Sequence, residues 1–240
     1  MFGYHGRYLR IDATTGTAEA VPLPEAVLRQ YVGGVGLAAW LLTRECPAGV
    51  DPLAPANPLA FVFSPLVGTP LTTSAKFAVA AKSPLTDRFC DALSSSHFAL
   101  DGKKAGFDAF VARGKAAEPS VLVIDDGAVR LEPATDVWGR TTPDATHTLK
   151  GRFGPGWSFA VIGPAGENLV RFATISHDSR HAGRGGLGAV LGSKNLKAVA
   201  VRGTQRTEVA DPAAVVAAAR DLSARSFGPA TAKYRELGTV

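Results

Sequence analysis

The sequence RHAGRGGLGAVLGSKNLK runs from Arg180 to Lys197 and sets five glycines among two arginines and two lysines. Glycine has no β-carbon, so the backbone of such a loop can approach a ligand closely. Backbone N–H groups and guanidinium forks then face an anion, of which phosphate is the obvious candidate. A simple chain reversal needs only one or two glycines. Five glycines cost more conformational entropy on folding, so we expect a bound anion to compensate that cost.

Three of these glycines, Gly183, Gly185 and Gly188, match the GxGxxG pattern of dinucleotide-binding loops. That pattern belongs in a tight βαβ unit with an acidic residue about 20 positions later. Glu208 is the residue nearest to that spacing, and strand-like sequence resumes soon after Gly188. A Walker A loop is excluded because no lysine follows a GxxxxG spacing. The GxGxxG match nevertheless leaves a nucleotide-binding enzyme as an alternative. Binding of NAD(P) or ATP to such an enzyme would raise its Tm.

Strand-like segments surround the glycine-rich stretch on both sides. Two of them, 6–23 and 120–134, alternate around turns and predict β-hairpins. Single strands are predicted by the apolar runs at 58–66, 76–84, 107–113, 157–166 and 195–203. Helical spacing extends from Pro24 to Leu42 across a Gly-Gly pair, and Asp211-Pro212 is a good helix start for 213–226. The pattern predicts an α+β fold with two mixed or antiparallel sheets and a few helices.

One faint internal repeat is present. KAGFDAFVARGKAAE (104–118) and SKNLKAVAVRGTQRTE (193–208) both run from lysine through an apolar strand to Arg-Gly and a polar exit. The spacing of about 90 residues is too long for a solenoid repeat. It predicts two related halves within one domain.

Composition excludes several classes of protein. With 240 residues, 46% of them hydrophobic, and a mean hydropathy of +0.09, the chain can bury a substantial core. The apolar segment Tyr31 to Leu42 is about half the length that crosses a bilayer, so we expect no membrane span. The N-terminus has no secretory h-region, which predicts a cytoplasmic location. Cys46 and Cys90 are too far apart for a CxxC site and predict two reduced thiols.

The formal charge of +5 is spread over scattered lysines and arginines. A nucleic-acid-binding surface would cluster them, so we expect no nucleic acid partner and favour an anionic small ligand or an acidic partner. Side chains for catalysis are equally scarce. His177 and His181 lack a third zinc ligand, and Ser94 to Ser96 lack a G-x-S-x-G elbow, so we assign no catalytic residue.

Several blocks, in order, resemble the N-terminal domain of the aldehyde ferredoxin oxidoreductase (tungstopterin oxidoreductase) family. The signature pair is GPAGENLVRFATI (163–175) followed by AGRGGLGAVLGSKNLKAVAVRG (182–203). The other blocks are GRYLRIDATTG (6–16), VGGVGLAAWLL (32–42), GVDPLAPANPLAFVFSPLVGT (49–69), KFAVAAKSPLT (76–86), KKAGFDAFVARGKAAEP (103–119) and VWGR (137–140). The resemblance spans the chain to about residue 205.

The resemblance implies a base of two β-sheets that carries a bis-pterin tungsten or molybdenum cofactor, with magnesium bridging the two pterin phosphates. Its motifs imply cofactor contacts at Lys76, Leu93, Ser95, Arg180, His181, Gly183 and Arg184. They further imply that the backbone carbonyls of Leu93 and His181 bind the magnesium. The domain would cover residues 1–207, and residues 208–240 would begin a helical second domain.

Three departures from the family pattern stand out. Lys76 replaces the usual arginine and lacks its planar, bidentate fork. Leu93 replaces an asparagine, and Ser95 and Ser96 replace glycines, so their β-carbons crowd a loop expected to meet the pterin. The loop at 177–183 is one residue shorter than in some members. A non-catalytic scaffold that has lost the cofactor is therefore a second interpretation.

The family also uses a [4Fe–4S] cluster held by four cysteines, and this chain has only two cysteines in total. The resemblance therefore implies an oxidoreductase that is incomplete as this chain alone. It would oxidise a small-molecule aldehyde to a carboxylate and pass electrons to ferredoxin. Missing C-terminal domains or a cysteine-bearing partner subunit would supply the cluster, and a homodimer is an expected assembly.

Overall fold

The structure is a computed structural model that describes residues 1–238. Its first half folds, in chain order, into β1 (Arg7–Asp12), β2 (Thr17–Pro22), α1 (Glu25–Tyr31), α2 (Gly34–Glu45), β3 (Leu59–Phe63), β4 (Lys76–Lys82), β5 (Phe89–Ser95), α3 (His97–Lys104) and β6 (Ala109–Arg113). The strands form one mixed sheet in the order β2-β1-β6-β3-β4-β5. In it β1 and β6 are parallel, and every other neighbouring pair is antiparallel.

The second half continues with β7 (Ser120–Asp125), β8 (Ala128–Pro133), α4 (Thr142–Phe153), β9 (Ser158–Val161), α5 (Pro164–Glu167), β10 (Ile175–His177), β11 (Arg180–Ala182), α6 (Leu187–Ser193) and β12 (Leu196–Arg202). Its sheet has the order β11-β10-β9-β12-β7-β8. Two further helices, α7 (Pro212–Ser226) and α8 (Pro229–Glu236), follow the second sheet.

The two sheets repeat one topology. Read from the other edge, the second sheet runs β8-β7-β12-β9-β10-β11, and β7 and β12 form its one parallel pair, as β1 and β6 do in the first. The two stretches of the faint sequence repeat become the equivalent strands β6 and β12. The prediction of an α+β fold built from two mixed sheets with related halves is therefore confirmed.

The core consists of three apolar clusters, one between the sheets and one on the outer face of each sheet. Alternate residues of each strand point to opposite faces, so the inner faces of both sheets meet in one apolar cluster that includes Phe61, Phe77 and Val199. The helices α1 and α2 cover the outer face of the first sheet, around Val62 and Leu41. On the outer face of the second sheet, α4 packs around Val161 and neighbouring side chains.

The edge strands of the two sheets meet at the end where the glycine-rich loop lies. β5 is the last strand of the first sheet and β11 the last strand of the second, and the two lie in contact. The segments that follow them, Ser96 and residues 183–186, are equivalent in the repeat. Gly185 packs against Cys90, near the start of β5, so the two segments lie toward opposite ends of the contact between β5 and β11. Within residues 1–238, no helix combines the length and the hydrophobicity needed to cross a membrane.

Candidate functional site

The residues implied by the family motifs come together where β5 and β11 meet. Lys76 pairs with Ser95 in the β4–β5 register. The Ser94 hydroxyl donates to the carbonyl of His181 over 3.4 Å, which joins the strand bearing Leu93 and Ser95 to the strand bearing Arg180. Gly183 and Arg184 follow β11 directly. The seven predicted residues therefore lie on, or directly beside, the strands β4, β5 and β11.

Leu93 and His181 occupy equivalent places in the two halves. Leu93 shares the outer face of the first sheet with Ala80, and His181 pairs with Ser176 on the outer face of the second. The ring of His181 contacts the Ser176 hydroxyl through Nδ1 at 2.9 Å. The backbone carbonyl of His181 accepts a long hydrogen bond from Ser94, and a carbonyl oxygen has two lone pairs.

The cations of the glycine-rich stretch divide into two groups. Arg180 and Arg184 are exposed, and neither makes an ion pair or a side-chain hydrogen bond with the part of the chain that the structure describes. The same holds for the partly buried Lys76. Lys194 and Lys197 are instead fully buried. Our expectation that the lysines of this stretch also belong to an anion site is therefore wrong.

Both lysines bind the protein itself. The Lys194 ammonium donates to the carbonyls of Pro55 at 3.0 Å and Asn57 at 2.6 Å. The Lys197 ammonium pairs with the carboxylate of Glu167 and donates to the Arg140 carbonyl at 2.8 Å. The two lysines therefore connect β12, and the residues just before it, to loops that are distant in sequence.

The burial of Lys194 makes the stability of the fold dependent on pH. Desolvation, assisted by the nearby charge of Arg113, lowers the pKa of Lys194 from 10.5 to about 7. Above pH 7 the unfolded chain therefore binds more protons at this site than the folded chain, so the free energy of unfolding rises with pH up to the unfolded pKa. We expect Lys194→Met to lower this slope by up to about 1.4 kcal/mol per pH unit in urea titrations. Lys150→Met, at an exposed site, is the control, and equal slopes in the two variants would contradict the assignment.

Most glycines of the stretch face protein atoms closely. A β-carbon on Gly185 would lie 2.1 Å from Cys90 Sγ, one on Gly188 2.4 Å from the Thr174 carbonyl oxygen, and one on Gly192 2.1 Å from the Gly166 carbonyl oxygen. Internal packing therefore explains these glycines, and our argument that they require a bound anion is wrong. Gly183 differs, because its nearest neighbour, Thr174 Cγ2, would lie 3.9 Å away and the residue is exposed.

The topology excludes the dinucleotide-binding unit. The GxGxxG residues lie between β11 and β12, which are antiparallel and are separated by β10 and β9 in the sheet. A dinucleotide fingerprint requires two parallel strands joined by the helix. The nucleotide-binding alternative therefore loses the structural context that it needs.

The two cysteines form no disulfide with each other, as the sequence predicts. Cys90 lies against Gly185 beneath the loop, and burial raises the pKa of its thiol. Cys46 directly follows α2, and its Sγ lies 3.8 Å from Asn57 Oδ1. Neither cysteine belongs to a set of three or more His, Cys, Asp or Glu residues that could hold a metal ion within residues 1–238.

Sequence reasoning missed one residue of this site. His177 is 2% exposed and contacts both Ser94 and Ser96. The sequence alone indicates only an incomplete zinc pair with His181. The available signal was the alternation of Ile175, Ser176 and His177, which places His177 on the same inner face as Ile175.

Comparison with known proteins identifies the family. Residues 8–203 match the family model described as aldehyde ferredoxin oxidoreductase, N-terminal domain. The chain is 41% identical to the tungsten-containing aldehyde ferredoxin oxidoreductase of Pyrococcus furiosus and 43% identical to that of Pyrococcus abyssi, each over 213 residues. These alignments cover 88% of this chain and 35% of each relative.

Two further proteins extend the comparison. An aliphatic sulfonate oxidoreductase, WOR-like subunit, from Pyrococcus furiosus is 35% identical over the whole chain, which covers 40% of that relative. A solved structure titled active site complex BamBC of benzoyl coenzyme A reductase in complex with 1,5 dienoyl-CoA matches with a TM-score of 0.89 and 33% identity. That match covers 93% of this chain and 34% of the solved chain. The chain thus spans about a third of the length of its relatives, and it belongs to the family of the aldehyde ferredoxin oxidoreductase N-terminal domain, whose members include oxidoreductases.

Proposed function

We propose that this chain binds a bis-pterin tungsten or molybdenum cofactor as one part of an aldehyde-oxidising enzyme. The observation that carries the proposal is a set of cations without an ion pair or side-chain hydrogen bond within residues 1–238: Lys76 on β4, and Arg180 and Arg184 on either side of an open glycine, Gly183. Arginine forks suit phosphate oxygens, and a residue without a β-carbon lets a planar ligand approach the backbone. The residues present therefore fit an anionic cofactor that carries phosphates.

The repeat suits a ligand made of two equivalent halves. The loop after β5 and the loop after β11 are equivalent in topology and follow two strands that contact each other, and we propose that each loop holds one pterin. We place magnesium between them, bound by the backbone carbonyls of Leu93 and His181, because oxygen atoms are its preferred ligands. Lys76 and Ser95 lie on the first side of this arrangement and Arg180 and Arg184 on the second.

When bound, the metal–dithiolene group supplies the two-electron redox chemistry of aldehyde oxidation to a carboxylate. This chain contributes binding, orientation and positive charge. We propose ferredoxin as the electron acceptor and a [4Fe–4S] cluster as the intermediate carrier. Four thiolates are the usual requirement for such a cluster, so sequence beyond these residues or a partner subunit provides them.

Exposed apolar side chains flank the loops and support a covering domain or subunit. Phe89 and Leu93 lie on one face of the edge strand β5 and are 44% and 57% exposed. Phe172 is 69% exposed and follows Arg171, whose carbonyl lies against Gly186. Apolar surface beside a charged loop is typical of a face that another protein surface covers. We propose that downstream domains, a cysteine-bearing subunit or a second copy in a homodimer covers it.

The last helices support a domain boundary near residue 207. Ala219 is the one buried residue of α7 and α8 within the described chain, and Phe227 and Tyr234 are largely exposed. We propose that residues 1–207 form the cofactor-binding domain and that residues 208–240 begin a helical second domain. The two free thiols agree with a reducing compartment, and we propose the cytoplasm.

The test is elemental analysis for tungsten, molybdenum, magnesium and iron, with pterin fluorescence after oxidation, on the protein isolated with whatever co-purifies. We expect about one tungsten or molybdenum and two pterins per chain, because the repeat offers two equivalent loops. Loss of one charge-assisted hydrogen bond costs about 1.5–3 kcal/mol, so Arg184→Ala should weaken pterin binding about tenfold or more. Arg29→Ala, in an exposed ion pair on α1, is the control.

A second candidate is a scaffold without cofactor, because packing alone accounts for most glycines of the loop. A folded protein that carries neither metal nor pterin would favour the scaffold. Equal pterin content in the Arg184→Ala and Arg29→Ala proteins would contradict our placement of the site.

A further inference from the structure

His177 lies at the end of β10 and points into the layer between the two sheets. Its ring meets the edge of Phe77 from the first sheet, with centroids 4.9 Å apart and planes at 67°. His177 belongs to the second half of the chain, yet its polar contacts are with the first half. Nε2 lies 2.5 Å from Ser94 Oγ, and Nδ1 lies 2.8 Å from Ser96 Oγ.

These two serines flank Ser95, one at the end of β5 and the other at the start of α3. Ser94 is the next to last residue of β5, and its hydroxyl also donates to the His181 carbonyl on β11. Ser96 caps α3, because its hydroxyl oxygen accepts the Phe98 N–H at 3.1 Å. His177 therefore contacts the end of a strand and the start of a helix at once.

One arrangement of protons satisfies every group in the cluster. Burial lowers the pKa of His177 to about 4, so the ring is neutral near pH 7, and one nitrogen donates while the other accepts. If Nε2 donates to Ser94, the Ser94 hydroxyl is free to donate to the His181 carbonyl. Ser96, which already accepts from Phe98, then donates to Nδ1. The chain of bonds Ser96, His177, Ser94, His181 crosses from one half of the molecule to the other.

We propose that His177 is a positioning residue that fixes the end of β5 and the start of α3 to the β10–β11 hairpin, so that these two segments keep one relative geometry. The link to ligand binding rests on the proposed function, because these segments carry Ser95 on one side and Arg180 and His181 on the other. A ligand with two joined halves needs both segments at a fixed separation, and pre-formed geometry lowers the ordering cost of binding.

This role also accounts for one departure from the family pattern. Ser96 stands where the family favours glycine, and its side chain bonds to His177 and caps α3. The hydroxyl thus contributes to the fold in a way that glycine could not.

The first test is hydrogen exchange by mass spectrometry on the full chain without cofactor. Loss of a buried hydrogen-bonded group opens a local segment. We expect His177→Ala to raise exchange about tenfold or more in residues 93–97 and 178–184 together, and to leave β3 and β7 unchanged. His147→Ala, at an exposed position on α4, is the matched control and should change neither loop.

Conservative variants separate the hydrogen bonds from simple packing. His177→Asn places an amide near the position of Nδ1 and should restore protection of the Ser96 side, whereas His177→Gln reaches the position of Nε2 and should restore the Ser94 side. If His177→Ala does not fold, the Ser94→Ala/Ser96→Ala double variant keeps the ring and removes both partners. It should loosen the same two loops.

The proposal is overturned if a folded His177→Ala or double-serine variant loosens only the hairpin that carries residue 177, or neither loop. Pterin content is then measured on the same proteins. Coupled loops in a protein without pterin would refute the proposed function and leave this inference standing. Bound pterin in a protein whose two loops exchange independently would support the proposed function and refute this inference.

Discussion

Gly186→Ala is expected to destabilise the fold by about 2–5 kcal/mol, from left-handed strain and overpacking combined. Gly186 has φ +73° and ψ +26°, in the left-handed region that alanine adopts at a cost. A β-carbon there would lie 2.0 Å from the carbonyl oxygen of Arg171 and 2.7 Å from its carbonyl carbon. These are backbone atoms, so relief requires the loop before β10 to move.

The measurement is urea unfolding of the variant beside Gly183→Ala. The β-carbon of alanine at 183 would meet nothing closer than 3.9 Å among the described atoms, so this control should unfold near the wild-type midpoint. On the proposed function, Gly183→Ala should nevertheless lose pterin, because the new methyl group occupies the space of the ligand. A Gly186→Ala protein as stable as Gly183→Ala would show that the close contact is wrong.

Local sequence signals predicted nine of the twelve strands in the described chain, including the hairpins β1–β2 and β7–β8, but not β5, β10 and β11. Alternation around Thr15-Gly16 and Asp126-Gly127 determined two hairpins, and Asp211 caps α7 through Ala214 N at 2.9 Å, as its position before Pro212 predicts. The faint repeat indicated the duplicated topology. These features depend on residues close together in sequence.

Helix α4 and the packing roles of the buried glycines and lysines were not predicted. α4 went unpredicted because its sequence, TPDATHTLKGRF, is mostly polar, and only Ala145 and Leu149 are buried on it. Thr141 and Pro143 at its start and Gly154 after its end were the available signals. The glycines and lysines of the 180–197 stretch were assigned to a ligand because their packing partners, such as Gly166 and Pro55, lie far away in sequence.

Asp108→Ala is expected to cost about 3–5 kcal/mol, as for other buried ion pairs broken on one side. Asp108 and Lys103 form an ion pair in which both side chains are almost fully buried. The carboxylate also accepts the backbone N–H of Gly6 at 2.7 Å and of His5 at 3.2 Å. Removal of Asp108 therefore leaves a buried ammonium and two backbone donors without their acceptor.

Urea unfolding measures this effect, with Glu25→Ala as the control. Glu25 pairs with Arg29 on the surface of α1, where both side chains are more than half exposed. Exposed pairs of this kind contribute about 0.3–0.5 kcal/mol, so the two variants should differ about tenfold in effect. Similar losses in both would contradict the burial of the Lys103–Asp108 pair.

The double variant Lys103→Met/Asp108→Ala distinguishes the two sources of the loss. Burial lowers the pKa of Lys103, and Asp108 opposes that shift, so the lone ammonium is the costlier remnant. Replacing it by methionine removes the unpaired charge but cannot restore an acceptor for Gly6 and His5. We therefore expect the double variant to recover more than half of the stability that Asp108→Ala loses. A double variant no more stable than Asp108→Ala would show that the carboxylate acts mainly by holding the N-terminal segment against β6.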